Sequence, residues 1–206
     1  QNSPTNSPEE AKILAEIMRL RRACCHPKLV PEDAGISSSK LALFSETIGE
    51  LLDNHHKALV FSQFVDHLTI LREELDRKGV SCQYLDGSTP ASQRKQRVEA
   101  FQSGEGDVFL ISLKAGGLGL NLTAADYVLH MDPWWNPAVE DQASDRAHRL
   151  GQQRPVTIYR FITKGTIEAR ITNLHATKRD LADSLLEGAD LSGKLTAEQL
   201  LKLIRE

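Results

Sequence analysis

The sequence predicts an α/β domain built on a parallel sheet with helices on both faces. Three observations predict it. Short apolar, β-rich runs recur at 57–61, 82–85, 108–111, 127–131 and 156–162. Helical stretches separate them, so each connection is long enough for a crossover between parallel strands. Several runs end in polar or glycine-rich segments, which is where open parallel sheets bind ligands.

Composition sets the outer limits. The chain has 206 residues, 40% hydrophobic and 26% charged, which suits one globular domain with a small appendage and a core of its own. No stretch approaches the roughly 20 apolar residues of a bilayer span, and no basic-then-apolar leader opens the chain, so no membrane partner is expected. Cys24, Cys25 and Cys82 are odd in number and lack a repeated spacing, which points to a reducing compartment. Cys24, Cys25 and His26 are not followed by a second ligand pair, so they are read as packing at a helix end and no metal site is expected. The net charge of -3 and a pI near 6.2 argue against a broad basic surface. Any contact with a polyanion would be local, made of a few basic side chains, backbone N–H groups and hydroxyls.

The elements follow in order. Residues 1–8 are turn formers, expected to be disordered. Ile13, Ile17, Leu20 and Cys24 mark one face of a first helix, stopped by Pro27. Residues 31–39 read as a loop. Leu41, Phe44, Ile48 and Leu51 mark a second helix. After the strand at 57–61, Leu68, Leu71 and Leu75 mark a helix ending at Gly79. The strand at 82–85 runs into a turn at Asp86-Gly87. A polar helix carries Val98 and Phe101, and the strand at 108–111 runs into a glycine-rich loop. The strand at 127–131 precedes a helix lined by Val139, Ala143 and Ala147, and 156–162 is the last strand. In the tail, Ile167, Ile171, Leu174, Leu181 and Leu185 form a helical stripe, and Thr196 with Gln199 reads as a capping box for a final helix.

Four segments carry candidate chemistry. In 142–152, Gln142, Arg146 and Arg149 are spaced by four and three, on the helix that Asn136 would cap and Pro137 would open. Two arginines shown together on one face suit phosphate oxygens. The alternative is a solvated helix with an exposed Asp145–Arg149 pair, worth little. In 112–122, Gly116, Gly117 and Gly119 would let the backbone approach a ligand, or simply make a turn. In 132–137, Trp134 and Trp135 are either both packed or divided, one in the core and one against a ligand. Phe61-Ser62-Gln63 and Asp86-Gly87-Ser88-Thr89 put hydroxyls and amides at strand ends, suited to phosphate contacts or to turn chemistry.

Together and in this order, these segments resemble the C-terminal motor lobe of the Swi/Snf family of superfamily-two DNA translocases. The resemblance runs from about Leu20 to Arg170. It rests on Ser39-Lys40-Leu41, Ala58 to Gln63, Tyr84 to Thr89, the glycine loop, Asp132 to Pro137, and Asp145 to Gln152. With no long insertion between motifs, the chain is similar to the compact bacterial and archaeal members. The resemblance implies a RecA-like lobe in which Arg146 and Arg149 are arginine fingers. It places Gly117, Gly119 and Gln142 beside the nucleotide. It puts Gln63, Gly87, Ser88, Ser112 and Lys114 on the backbone of one DNA strand, with Trp135 lying against the DNA. Leu113 stands where many members carry threonine and cannot hydrogen-bond phosphate, so that contact shifts to Ser112 or is absent.

A phosphate-binding Gly-x-x-x-x-Gly-Lys-Ser/Thr loop and an Asp-Glu-x-His sequence are both missing from the chain. In the resembled family they belong to the first lobe. The expectation is therefore a fragment, inactive alone, whose ATP and Mg2+ are held mainly by the missing N-terminal lobe and whose other partner is the double-stranded DNA backbone. Domains are expected at 1–38 (linker and helix), 39–165 (motor lobe) and 166–206 (a helical brace that packs across the first lobe). The location is the nucleoid-bearing cytoplasm or the nucleus, according to source. Two alternatives stand: a helicase lobe of another superfamily-two branch acting on RNA or DNA, and a non-catalytic interaction module on a motor fold.

Overall fold

The computed structural model describes residues 8–31, 35–116 and 119–174. Five parallel strands form one sheet in the order β2-β3-β1-β4-β5, with β1 Ala58–Ser62, β2 Cys82–Leu85, β3 Val108–Ser112, β4 Tyr127–His130 and β5 Thr157–Arg160. Ser62 pairs with Ser112 and His130 with Arg160, so the strand ends are level. The helices are α1 Pro8–Cys25, α2 Ser39–Asp53, α3 Val65–Arg77, α4 Ala91–Gln102, α5 Leu113–Gly116 and α6 Pro137–Ser144, and residues 167–174 are helical as well.

Why these residues make this sheet is plain in the central strands. Every residue of β1 and of β3 is buried, as expected for strands covered on both faces. Alternation divides β1 between two cores. Ala58 and Val60 join Phe44, Ile48, Leu68, Leu71 and Leu75 under α2 and α3. Leu59 and Phe61 join Phe101, Phe109, Ala143 and Ala147 under α4 and α6. Fully burying one such side chain stabilises by roughly 1.5–3 kcal/mol, and Leu71→Ala, at a site with no exposure, would cost about 2–5 kcal/mol. Ser38 caps α2 by accepting the Leu41 N–H at 3.1 Å, and α3 gives way to Gly79 at φ +70, where a side chain would be strained.

Three expectations need correcting. The buried face of α1 is Ile17, Arg21 and Cys25, while Leu20 is 43% exposed: the stripe is rotated because Arg21 finds aromatic and carbonyl partners inside. The segment after β3 begins as the short helix α5 rather than as a loop, started by Ser112 Oγ accepting the Ala115 N–H at 3.3 Å. Helix α6 stops at Ser144, with Asp145 as its C-cap, so 145–151 are turns. Gln142, Arg146 and Arg149 therefore do not share the face of one continuous helix. Residues 167–174 pack on α1, Ile167 and Ile171 against Ile17. Residues 1–7, Gly117 and the tail elements at Leu181, Leu185 and Thr196 lie outside the described residues.

Candidate functional site

Parallel strands end on one edge, and the edge collects the polar segments. From one side to the other stand Asp86-Gly87-Ser88 after β2, Ser112-Leu113-Lys114 at the end of β3, Ser62-Gln63 at the end of β1, and Asp132 to Trp135 after β4. At about 4.8 Å between strands, four ends cover about 14 Å, roughly four nucleotide steps at ~3.4 Å each.

The β2 corner is prearranged. Asp86 Oδ1 accepts the Ser88 N–H at 2.8 Å and its hydroxyl at 2.6 Å, and Oδ2 accepts the Tyr84 hydroxyl at 2.9 Å. The Ser88 hydroxyl bond comes first among the interactions that hold the Asp86 carboxyl below its usual range, while burial, with Asp86 next, pushes Tyr84 up to about 12. Arg94 closes the turn from α4, donating to Thr89 O at 2.6 Å and Gly87 O at 3.3 Å. Gly87 and Ser88 are exposed, but both Ser88 donors are committed to Asp86.

The central corners differ in exposure. Lys114 is exposed, whereas Ser112 is 3% exposed with its hydroxyl oxygen capping α5, and Leu113 is packed into the core with Phe61 and Phe109. Gln63 is half-buried, and its Nε2 has no hydrogen-bond partner among the described residues.

The exit of β4 is pinned at four consecutive residues. Lys40 Nζ donates to Met131 O at 2.8 Å. Asp132 accepts the Ser62 hydroxyl, and the Gln63 N–H at 3.2 Å. Arg21 Nη2 donates to Pro133 O at 2.7 Å, and the Trp134 N–H donates to Glu140 Oε1 at 2.9 Å. Lys40 also meets both oxygens of Glu168, at 2.7 and 2.6 Å, in an almost fully buried pair. Burial dominates the electrostatics here. It lifts Asp132 to about 6 against its hydrogen bond from Ser62, lowers His67 to about 3 with help from Lys40, and raises Cys25. Cys25, His67 and Asp132 bring ligand-type atoms within 4.8 Å of one another. Two cations already sit beside this carboxylate, and its oxygens hold Ser62 and Gln63, so the cluster is read as counter-charge for Arg21 and Lys40.

Both tryptophans meet Arg21. Its guanidinium carbon stands 4.7 Å from the Trp135 ring centre and 5.7 Å from that of Trp134. Trp135 is half-buried against Ile17, Ile167 and Ile171. Arg21, His67 and Glu168 escaped the sequence reading. The available signal was position: Arg21 lies one helical turn from both Ile17 and Cys25.

The candidate nucleotide residues lie elsewhere, beside the 119–125 segment. Arg149 is exposed, and its Nη1 donates to Gly119 O at 3.2 Å and Leu120 O at 3.4 Å. Gly119 has φ +69 and nothing within 4 Å of where a Cβ would stand. Arg146 is 5% exposed and its carbonyl accepts the Leu122 N–H at 2.9 Å. Its Nε has no partner among the described residues. Burial, then Arg149, lowers its pKa against Asp145. Gln142 is exposed on α6. Gln152, which the sequence named only as the end of the 142–152 segment, turns the two N–H groups of Nε2 toward Thr123 O, Ala125 O and Ala147 O at 3.2, 2.8 and 2.9 Å. It fastens the arginine turn to the 119–125 segment.

A parallel-sheet lobe with a polar carboxyl edge and an arginine turn held against a glycine loop has the form of a helicase-type motor lobe. Known proteins agree with that class. The family model described as "Helicase conserved C-terminal domain" matches residues 39–151. An uncharacterized ATP-dependent helicase of Mycoplasma pneumoniae is 40% identical over 195 residues, covering 93% of this chain and 19% of that protein. The solved C-terminal domain of the Sulfolobus solfataricus SWI2/SNF2 ATPase superposes with a TM-score of 0.73 at 31% identity, covering 98% of this chain and 84% of that one. The core of that ATPase in complex with dsDNA gives 0.76 at 33% identity, covering 98% and 43%. The chain belongs to the helicase conserved C-terminal domain family, in its SWI2/SNF2 branch. It spans about a fifth of the length of the first curated relatives it matches.

Proposed function

We propose that this chain is the second motor lobe of an ATP-dependent double-stranded DNA translocase, supplying arginines to ATP and backbone contacts to DNA. The observation that carries the reading is the separation of two polar surfaces on one rigid sheet: Gln63, Gly87, Ser88 and Lys114 along the carboxyl edge, and Arg146 and Arg149 beside the glycine loop. An archaeal relative solved in complex with dsDNA supports duplex DNA as the partner, and the polar carboxyl edge is the surface assigned to it here.

The arginine turn fits a nucleoside triphosphate. Arg146 Nε is a nearly buried donor without a partner among the described residues, and Arg149 rests on exposed carbonyls that phosphate oxygens can replace. The triphosphate supplies the anhydride bond whose cleavage drives movement. Arg146 and Arg149 would neutralise charge on its outer phosphate, with Gln142 and Gly119 alongside. Mg2+ falls to the first lobe in this reading, which also makes this chain inactive alone. Closure between lobes would bring the arginines onto the phosphates. At the DNA edge, Lys114 is the principal cation, the exposed Gly87–Ser88 turn and Gln63 contact backbone beside it, Ser112 acts by fixing α5, and Trp135 supports the edge through the loop after β4. Residues 39–165 are the motor lobe and 1–38 its entry segment. Residues 167–174 rest on α1, and the segment from 166 would serve as a brace across the first lobe. The site of action is wherever the DNA lies, nucleoid or nucleus.

The test is ATP hydrolysis by a protein that joins this chain to an N-terminal motor lobe, with and without duplex DNA, for wild type and Arg149→Ala. Strong stimulation by DNA, lost in the variant with nucleotide binding kept, is the expected result. Equal activity of the two proteins would sink the arginine assignment.

A further inference from the structure

We propose that Arg21 is a positioning residue of the DNA edge, one buried guanidinium that sets the Trp134–Trp135 loop and the Gln63–Phe64 corner relative to each other. The inference rests on the reading of this edge as the DNA side.

Arg21 is 1% exposed, on a helix whose buried face is otherwise Ile17 and Cys25. Burying a guanidinium is costly unless its donors and charge are met, and the fold offsets part of that cost from two loops, with Nε left without a partner among the described residues. Nη2 donates to Pro133 O at 2.7 Å. Three rings surround the cation: Trp135 at 4.7 Å, Phe64 at 5.6 Å and Trp134 at 5.7 Å from ring centre to guanidinium carbon. Asp132 lies close enough to act as counter-charge, and it binds the Gln63 N–H. Phe64 directly follows Gln63, and Pro133 directly precedes Trp134. A single side chain thus touches the loops leaving β1 and β4, two of the four that form the edge.

Only arginine suits this place. A planar guanidinium can stack on a ring face while donating in its own plane, whereas a lysine ammonium offers a point charge without a stacking plane. Lys40 performs the simpler task two residues earlier in the same loop, donating to Met131 O. Contact residues misplaced by about an ångström lose much of their binding, so a part that fixes two loops together acts on DNA affinity without touching DNA.

Trp134 and Trp135 are the only two tryptophans of the chain, so its intrinsic tryptophan emission reports this loop directly. The experiment compares wild type, Arg21→Lys, Phe64→Leu and Lys114→Ala as purified 206-residue chains, each held well below its own unfolding midpoint. Tryptophan emission with acrylamide quenching and the Kd for a short duplex are measured. For Arg21→Lys the expected result is emission shifted to longer wavelength, stronger quenching, and duplex affinity weaker by about fivefold or more, the scale of a lost ring contact and hydrogen bond. Phe64→Leu, which removes one ring and keeps the Pro133 bond, shifts both readouts in the same direction by less, and it carries the test if Arg21→Lys does not fold. Unchanged duplex affinity in a folded variant with altered emission overturns the proposal, because Arg21 would then serve stability alone. Unchanged emission overturns it too. The two failures are separable: a wild-type chain without duplex affinity removes the DNA reading itself, while a wild type weakened by Lys114→Ala but not by Arg21→Lys removes only the role of Arg21.

Discussion

Arg149 donates through Nη1 to the carbonyl oxygen of Gly119 at 3.2 Å, joining an arginine turn to a glycine segment thirty residues earlier. The contact is exposed, and such a bond is worth only about 0.5–1.5 kcal/mol net. Arginine binds phosphate more strongly than it binds a neutral carbonyl. The resting position of Arg149 is therefore cheap to leave, which is what a residue that meets its ligand only on closure requires.

Arg149→Ala should leave the fold almost untouched, within about 0.5 kcal/mol by denaturant midpoint, because the side chain is exposed and its bonds to the Gly119 and Leu120 carbonyls are exposed as well. In the protein completed by its first lobe, DNA-stimulated ATP hydrolysis should fall by about 10³-fold. A loss of stability with activity intact would mean that the residue only ties down the glycine segment.

Lys114→Ala should weaken duplex binding alike on unrelated sequences and reduce the slope of log K against log salt by about one, since a lysine on a phosphate carries no base information. Titrations at several salt concentrations on two unrelated duplexes check this. A loss confined to one sequence would contradict backbone contact.

Lys40→Met should destabilise the chain by about 3–5 kcal/mol, because it strands the Glu168 carboxylate in a site with no exposure. Glu168→Leu added to it should recover much of that loss. Urea unfolding of the two variants measures the effect, and equal instability of single and double variants would show that the pair matters through packing alone.

Acidification should destabilise the fold between pH 6.5 and about 4. His67 and His130 are pushed down by burial to about 3 and about 4, so the unfolded chain takes up their protons first as pH falls. Each contributes a loss of at most about 1.4 kcal/mol per pH unit. Asp132, lifted to about 6, acts in the opposite sense, since the folded state binds its proton more readily and gains stability as pH falls through that range. Two groups against one leave a net loss. His67→Met should flatten the dependence of the urea midpoint on pH, and an unchanged slope would show that His67 is not the responsible group.

What the sequence determined alone is local in origin. The strand positions were legible because short, mostly apolar, β-rich runs between helical stretches have few other uses, and β2 was placed to the residue at 82–85. The polar corners at Gln63, Gly87, Ser88 and Lys114 were legible because they follow those runs directly. Tertiary structure decided the rest. The continuation of α6 through Arg149 looked favourable, yet the Arg146 carbonyl takes the Leu122 N–H and Ser144 Oγ pairs with His130 Nε2 at 2.9 Å, holding the turn segment against distant parts of the chain. Arg21 lies off the Ile13, Ile17, Leu20 and Cys24 stripe that periodicity marked. Its burial is stable only because Pro133 O, 112 residues later, and three rings from two loops close around it. Local propensity and periodicity act over a few residues, whereas the desolvation of a charge is settled by whatever the whole fold brings to it.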